Sequence, residues 1–262
     1  MPTSMFAREP SRSDTTAVAV DVRPEGPGLR FGGMTRVRDG GQSEAAARRA
    51  VAESRWPSVA AVVAAMVLTV LLPGQLRVVP AWLLLLIEAV LLGALVFGDP
   101  GTIDRRSTEL RILSIALVAV LILNSLVATY LLIGDLIHGG KETNSASALL
   151  IAGSVVWASN NIAFSLLYWE LDGGGSANRT HSWPNRRVDL AFPQDLNPHV
   201  RDDVWLPRFV DYLYLGLTNA TAFSPTDVMP LVPWAKVAMA VQSIISLAIL
   251  GLVVARAVNV FT

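Results

Sequence analysis

Five long apolar runs set the frame for anything this chain can fold into. A bilayer core about 30 Å thick is crossed by about 20 helical residues. Runs close to that length lie at about Pro57 to Leu72 (PSVAAVVAAMVLTVLL), Pro80 to Phe97 (PAWLLLLIEAVLLGALVF), Leu110 to Ile133, Ala146 to Trp169 and Trp234 to Phe261. In hydrocarbon every backbone N–H and C=O needs a partner within the protein, and a helix supplies it within one segment. The connector PGQLRVV between the first two runs has room only for a tight hairpin. Pro80 and Pro233 stand at helix starts, where a missing N–H costs nothing, and Trp82, Trp169 and Trp234 lie near segment ends, as interfacial aromatics do.

Composition agrees with a membrane protein. Of the 262 residues 52% are hydrophobic and 16% charged, against roughly 25% charged in soluble domains. The 21 basic and 21 acidic residues balance, and no motif points to nucleic acid. Only Lys141 and Lys236 are lysines, an arginine bias that fits a bacterial genome rich in G and C. The absence of cysteine excludes disulfides and thiolate chemistry. His138, His181 and His199 lack ligand spacing, so no metal and no cofactor is expected. No phosphate loop, serine triad or paired-carboxylate motif is present, and an enzyme is not expected.

Four regions follow. Residues 1–55, rich in Arg, Gly, Pro, Ser and Asp, read as a disordered tail without the apolar core of a secretory signal. Residues 56–171 hold four membrane helices, 172–208 form a polar loop rich in Gly and Pro, and 209–262 combine a short helix, a loop and the last span. The short piece FVDYLYLGLTNATAF would extend about 22 Å as a helix, and Asp211 and Asn219 interrupt its apolar surface. It is too short to cross. It either enters the membrane and returns, which is tolerated where protein covers the backbone, or lies along the interface. The expected fold is all-α: a polytopic membrane protein with about five spans and one re-entrant or interfacial half-helix.

Arginines assign the sides. Arg48, Arg49 and Arg55 precede the first span, Arg105, Arg106 and Arg111 flank the loop after the second, and Arg179, Arg186, Arg187, Arg201 and Arg208 fill the polar loop, while the opposite loops carry only Arg77 and Lys141. The positive-inside rule puts the N-terminus and the polar loop in the cytoplasm of a bacterial plasma membrane protein and turns the hairpin inward.

Two groups of polar residues are candidate sites. The hairpin holds Thr218, Asn219, Thr221, Ser224, Thr226 and Asp227, with Pro225 stopping the half-helix near Phe223. Its threonine face is expected against the fourth and fifth spans or a protomer axis, and Asp227 at the cytoplasmic boundary, where it can also cap a turn. A midplane group comprises Glu88, Asn124, Asn160 and Asn161, with Gln242, Ser243 and Ser246 at compatible depth. A charge at the centre of a bilayer is expensive, so Glu88 is either a proton or monovalent cation site or a protonated hydrogen-bonding group that holds helices together.

The half-helix, hydroxyl-rich loop, proline and closing helix resemble the pore module of potassium channels over about 50 residues, with Thr221, Asp227 and Pro230 near that family's filter threonine, following aspartate and proline. Such filters use glycines to aim successive carbonyls. Here Ala222, Phe223, Ser224 and Pro225 stand in that region, and the hairpin faces inward. From about Arg55 onward the chain also resembles a bacterial family of membrane proteins known as domain of unknown function 1345. Asp211, Tyr212, Tyr214, Thr218, Phe223, Thr226 and Asp227, together with Ala191 to Pro193 and Asn259, carry that resemblance. Asn161 and Leu167 replace histidines of that family's fourth helix, so no metal or proton role tied to them carries over. The resemblance implies a fold and a membrane location, and no activity. Two functions are expected from this reading: a channel-like or transport element, working as a homo-oligomer, or a non-conducting scaffold or sensor that binds a cytoplasmic partner or anionic membrane lipid.

Overall fold

The computed structural model describes residues 53–98, 103, 107–138, 145–183, 185–197, 199, 205–221 and 227–261. Among them eight α-helices occur: α1 Trp56–Leu71, α2 Ala81–Gly98, α3 Thr108–His138, α4 Ala146–Leu171, α5 Ser176–His181, α6 Pro193–Leu196, α7 Phe209–Thr221 and α8 Pro233–Phe261. The only sheet among the described residues pairs Leu190–Ala191 (β1) antiparallel with Met229–Pro230 (β2). The protein is an all-α polytopic membrane protein. Helices α2, α3, α4 and α8 are long and apolar enough to cross a bilayer, and α1, at 16 residues, is a shorter apolar helix. The tail assigned to residues 1–55 lies outside the described residues up to position 52.

Helix α4 is the hub. It packs against α1, α3, α7 and α8, whereas α2 packs mainly on α1 and α3 among the described residues. In their most apolar stretches 61% of the α4 segment is buried against 11% of α2, so α2 is the outer helix and offers most of its surface to lipid. Two apolar cores follow from this arrangement. One is aliphatic, built from Leu76, Leu132, Leu136, Leu149, Val156 and Ile249. The other is larger and mixed, and where α4 ends it holds aromatic pairs, with Trp169 edge-on to Phe209 at 6.0 Å and Phe192 edge-on to Tyr212 at 5.2 Å. Edge-to-face pairs add to what area burial alone contributes.

Helix α7 has 13 residues, and the pins on either side of it explain its placement. At its start the Phe209 N–H donates to the Glu53 carboxylate. Past the loop, the Leu231 N–H donates to the Asp189 carbonyl at 2.9 Å and β2 pairs with β1. Both attachments lie in the layer that follows α4. Residues 222–226, which include the candidates Ser224 and Thr226, lie outside the described residues.

Candidate functional site

The polar stretch after α4 folds around buried charge. Asp172, fully buried, accepts the N–H groups of Asp189 (3.0 Å) and Leu190 (2.9 Å) on one carboxylate oxygen. Its other oxygen accepts the Tyr212 hydroxyl at 2.6 Å and lies 3.5 Å from Arg186. Arg186 in turn donates from one guanidinium nitrogen, Nη2, to both oxygens of Asp195 at 2.6 Å, a charge-assisted contact. Arg179, also buried, donates to the carbonyls of Trp169 (2.7 Å) and Asp172 (2.8 Å) and stands 5.1 Å from the Tyr212 ring centre. Burial pushes the Tyr212 phenol well above its usual range, opposed by the charge of Arg179 and reinforced by Asp172, so it stays a neutral donor.

Glu53 completes the layer. It is 3.8 Å from Arg179 and accepts from Trp169 Nε1 (3.0 Å), Ser176 Oγ (2.8 Å) and the Phe209 N–H. Charges therefore alternate from Glu53 through Arg179, Asp172 and Arg186 to Asp195. The chain reaches this geometry through Gly173, Gly174 and Gly175, with φ of 58°, 82° and 93°. These are left-handed conformations that side chains with a Cβ disfavour.

Beside this layer lies a cavity of about 630 Å³, lined by Arg55, Ser107, Thr108, Arg111, Ser114 and Glu170 among others. The Arg111 guanidinium stands 3.8 Å from the Glu170 carboxylate and donates to the Gly174 carbonyl, and Ser114 Oγ donates to Glu170 at 2.6 Å. Among the described lining residues two guanidinium groups stand beside one carboxylate. Among the described residues no cluster of three or more His, Cys, Asp or Glu is placed to hold a metal ion.

The hairpin candidates separate by helix face. The face of α7 that meets α4 and α8 carries Leu215, Gly216, Asn219 and Ala220, all buried. Asn219 Nδ2 donates to Gln242 Oε1 (2.7 Å) and to the Met239 carbonyl (2.9 Å), Tyr168 OH donates to the same Gln242 oxygen (2.7 Å), and Gln242 Nε2 donates to the Gly216 carbonyl (3.0 Å). Ser243 Oγ adds a bond to Asn219 Oδ1 at 3.0 Å. Of the two settings expected for the threonine face, the one against the fourth and fifth spans is taken by these residues and not by the threonines. Thr218 donates to the carbonyls of Tyr214 and Leu215, and Thr221 to that of Thr218, so both hydroxyls turn back onto their own helix. Both threonines are only half-buried, because the i, i+3, i+4 spacing of Gly216, Asn219 and Ala220 claims the inward face. Asp227 is exposed. A Cβ built on Gly216 would come within 2.1 Å of Ser165 Oγ, so glycine permits the close approach of α7 to α4.

The midplane candidates do not form one site. The Ser114–Glu170 bond sets the register of α3 against α4, and ten residues deeper, roughly 15 Å at helical rise, the next polar contacts appear. There Ser125 Oγ donates to Asn160 Oδ1 at 2.8 Å and Asn160 Nδ2 to Thr129 Oγ1 at 2.6 Å. Asn124 Nδ2 reaches a different helix, donating to Thr69 Oγ1 of α1 at 3.1 Å. Asn161 points to α7 beside Gly216, and its Oδ1 has no hydrogen-bond partner among the described residues. Glu88 is fully buried on α2, and neither of its carboxyl oxygens has a hydrogen-bond partner among the described residues.

Sequence reasoning missed Glu53, Asp172 and Arg179. The one local signal was the run Asp172-Gly-Gly-Gly, an acidic helix stop followed by residues free to take left-handed turns. Compared with known proteins, the chain matches no family model, no curated protein and no solved structure.

Proposed function

We propose that this protein is a non-conducting membrane scaffold or sensor whose polar end recognises a partner at the cytoplasmic face. One observation carries the reading: the Asn219–Gln242–Tyr168 network, which spends the inward polar groups of α7 on its own neighbours α4 and α8. A conducting path needs polar groups left facing an open axis. Here the hydroxyls of Thr218 and Thr221 are bonded to their own helix. Helix α7 starts at the end where α4 finishes, and β2 pairs with β1 at that same end before α8, which supports reading the segment as a re-entrant half-helix. The arginines of residues 48–55, 105–111 and 179–208 support a cytoplasmic position for that end in a bacterial plasma membrane. The test is ion flux with the purified full-length chain in liposomes. Uptake of potassium, sodium and protons should equal that of empty vesicles, and a saturable, selective flux would overturn the reading.

The second reading, a transport element, draws its support from Glu88, a buried carboxyl without a hydrogen-bond partner among the described residues. Intramembrane carboxyls of this kind carry protons in pumps and transporters. Under that reading Glu88→Gln abolishes a measured flux and leaves the fold intact.

A further inference from the structure

We infer that the polar cavity and the outer groove between α1 and α2 together hold one anionic phospholipid, its phosphate in the cavity and an acyl chain in the groove. The inference deepens the reading of the polar end as a recognition surface, and it names the partner and the site.

The groove has a volume of about 500 Å³ and is lined by apolar residues of both helices, including Val63, Val67 and Val70 of α1 and Ala89, Gly93 and Val96 of α2. A Cβ at Gly93 would meet nothing within 4 Å, so the small residues leave real space there. From Phe97 to Leu85, both in the lining, the groove runs roughly 18 Å at helical rise, a length suited to a chain and not to a headgroup. It opens on the outer helix, and an apolar cleft facing hydrocarbon is filled by lipid at no desolvation cost.

Charge at one end decides which lipid. The last turns of α2 belong to both spaces, since Leu95 lines the polar cavity while Leu92 and Val96 line the groove. Arg55 immediately precedes α1 and Arg111 lies in the first turn of α3, so both guanidinium groups stand at the polar end of the helices and line the cavity. Ser107 and Thr108 add hydroxyl donors on the same wall. The one carboxylate among the described lining residues, Glu170, is engaged by Ser114 and Arg111. Arginine binds phosphate through paired N–H donors, and basic pockets between membrane helices on the cytoplasmic side suit anionic headgroups. A zwitterionic headgroup would bring its own cation to a wall that already carries two.

The test uses the full-length chain in nanodiscs of equal phosphatidylglycerol and phosphatidylcholine, with lipid retained after detergent transfer read by native mass spectrometry. One phosphatidylglycerol should stay bound in preference to phosphatidylcholine by at least about tenfold, the value of one charge-assisted contact. Arg111→Gln should remove about that preference, and Arg111→Lys, which keeps charge without the fork, should fall between. Gly93→Leu, which fills open space, should lower retention of lipid while leaving the thermal transition unchanged. Equal retention of the two lipids would overturn the inference. So would displacement by soluble glycerol phosphate that Gly93→Leu does not affect, which indicates a free phosphate site, or disulfide pairing of two copies through Gly93→Cys, which indicates a groove closed by a second chain. Flux in liposomes with phosphatidylglycerol still retained would sink the non-conducting reading alone, and loss of lipid preference without flux would sink the lipid site alone.

Discussion

The polar end of the bundle and the outer helix α2 both bury carboxylates, and they treat them in opposite ways. Asp172 and Glu53 each accept several hydrogen bonds and face arginines that are themselves buried. Glu88 is as deeply buried and has no hydrogen-bond partner among the described residues. Removing a carboxylate from the first setting strands donors that have no water to turn to. Removing it from the second strands nothing. A buried charge is thus a fastener where partners converge on it and a cost where they do not, and the direction of a stability change tells which kind a residue is.

The largest effect is expected at the fastener. Asp172→Ala leaves the Asp189 and Leu190 N–H groups, the Tyr212 hydroxyl and Arg186 without their acceptor, and it should destabilise the protein by about 3–5 kcal/mol, the cost of breaking a buried pair. Thermal unfolding in detergent measures it, and a variant within 1 kcal/mol of the parent, on the order of a single net hydrogen bond, would show that the layer is solvated. Gly216→Ala comes next. The new Cβ meets Ser165 Oγ, and overpacking should cost about 1–3 kcal/mol. Ser165→Ala in the same chain removes the nearest clashing atom and should restore part of the loss, which a double-mutant cycle reads directly. At the other extreme, Glu88→Leu should leave stability unchanged or raise it by about 1 kcal/mol, since it removes a polar group without stranding a partner. A clear loss would show that Glu88 belongs with Asp172, and the contrast would collapse.

Much of the fold was legible because it depends on run length. The five apolar stretches became α1 to α4 and α8, and the piece too short to cross became the 13-residue α7, which ends at Thr221, just ahead of Phe223 and Pro225. The facing of the polar residues was not legible. Asn160 and Asn161 are neighbours in sequence, yet one turns to Ser125 and Thr129 of α3 and the other to α7. A count of residues cannot choose between faces when the helix is buried nearly all round. The charge layer was least legible. Glu53 meets Ser176 across 123 residues and Phe209 across 156, so its composition placed it with the tail and its contacts place it in the core. The polar stretch 172–208 looked like a solvated loop for the same reason: charged residues signal exposure unless distant partners neutralise them.

A re-entrant half-helix requires α7 to enter and leave by the polar end. The chain has no cysteine, so single cysteines can be placed at Asn185 in the polar stretch, at Asp227 after the hairpin, and at His138 where α3 finishes. Labelled with an impermeant thiol reagent in intact cells and in inverted vesicles, Asn185→Cys and Asp227→Cys should react only in inverted vesicles and His138→Cys only in cells. Opposite labelling of the Asn185 and Asp227 positions would make α7 part of a full crossing and contradict the re-entrant hairpin on which the non-conducting reading depends.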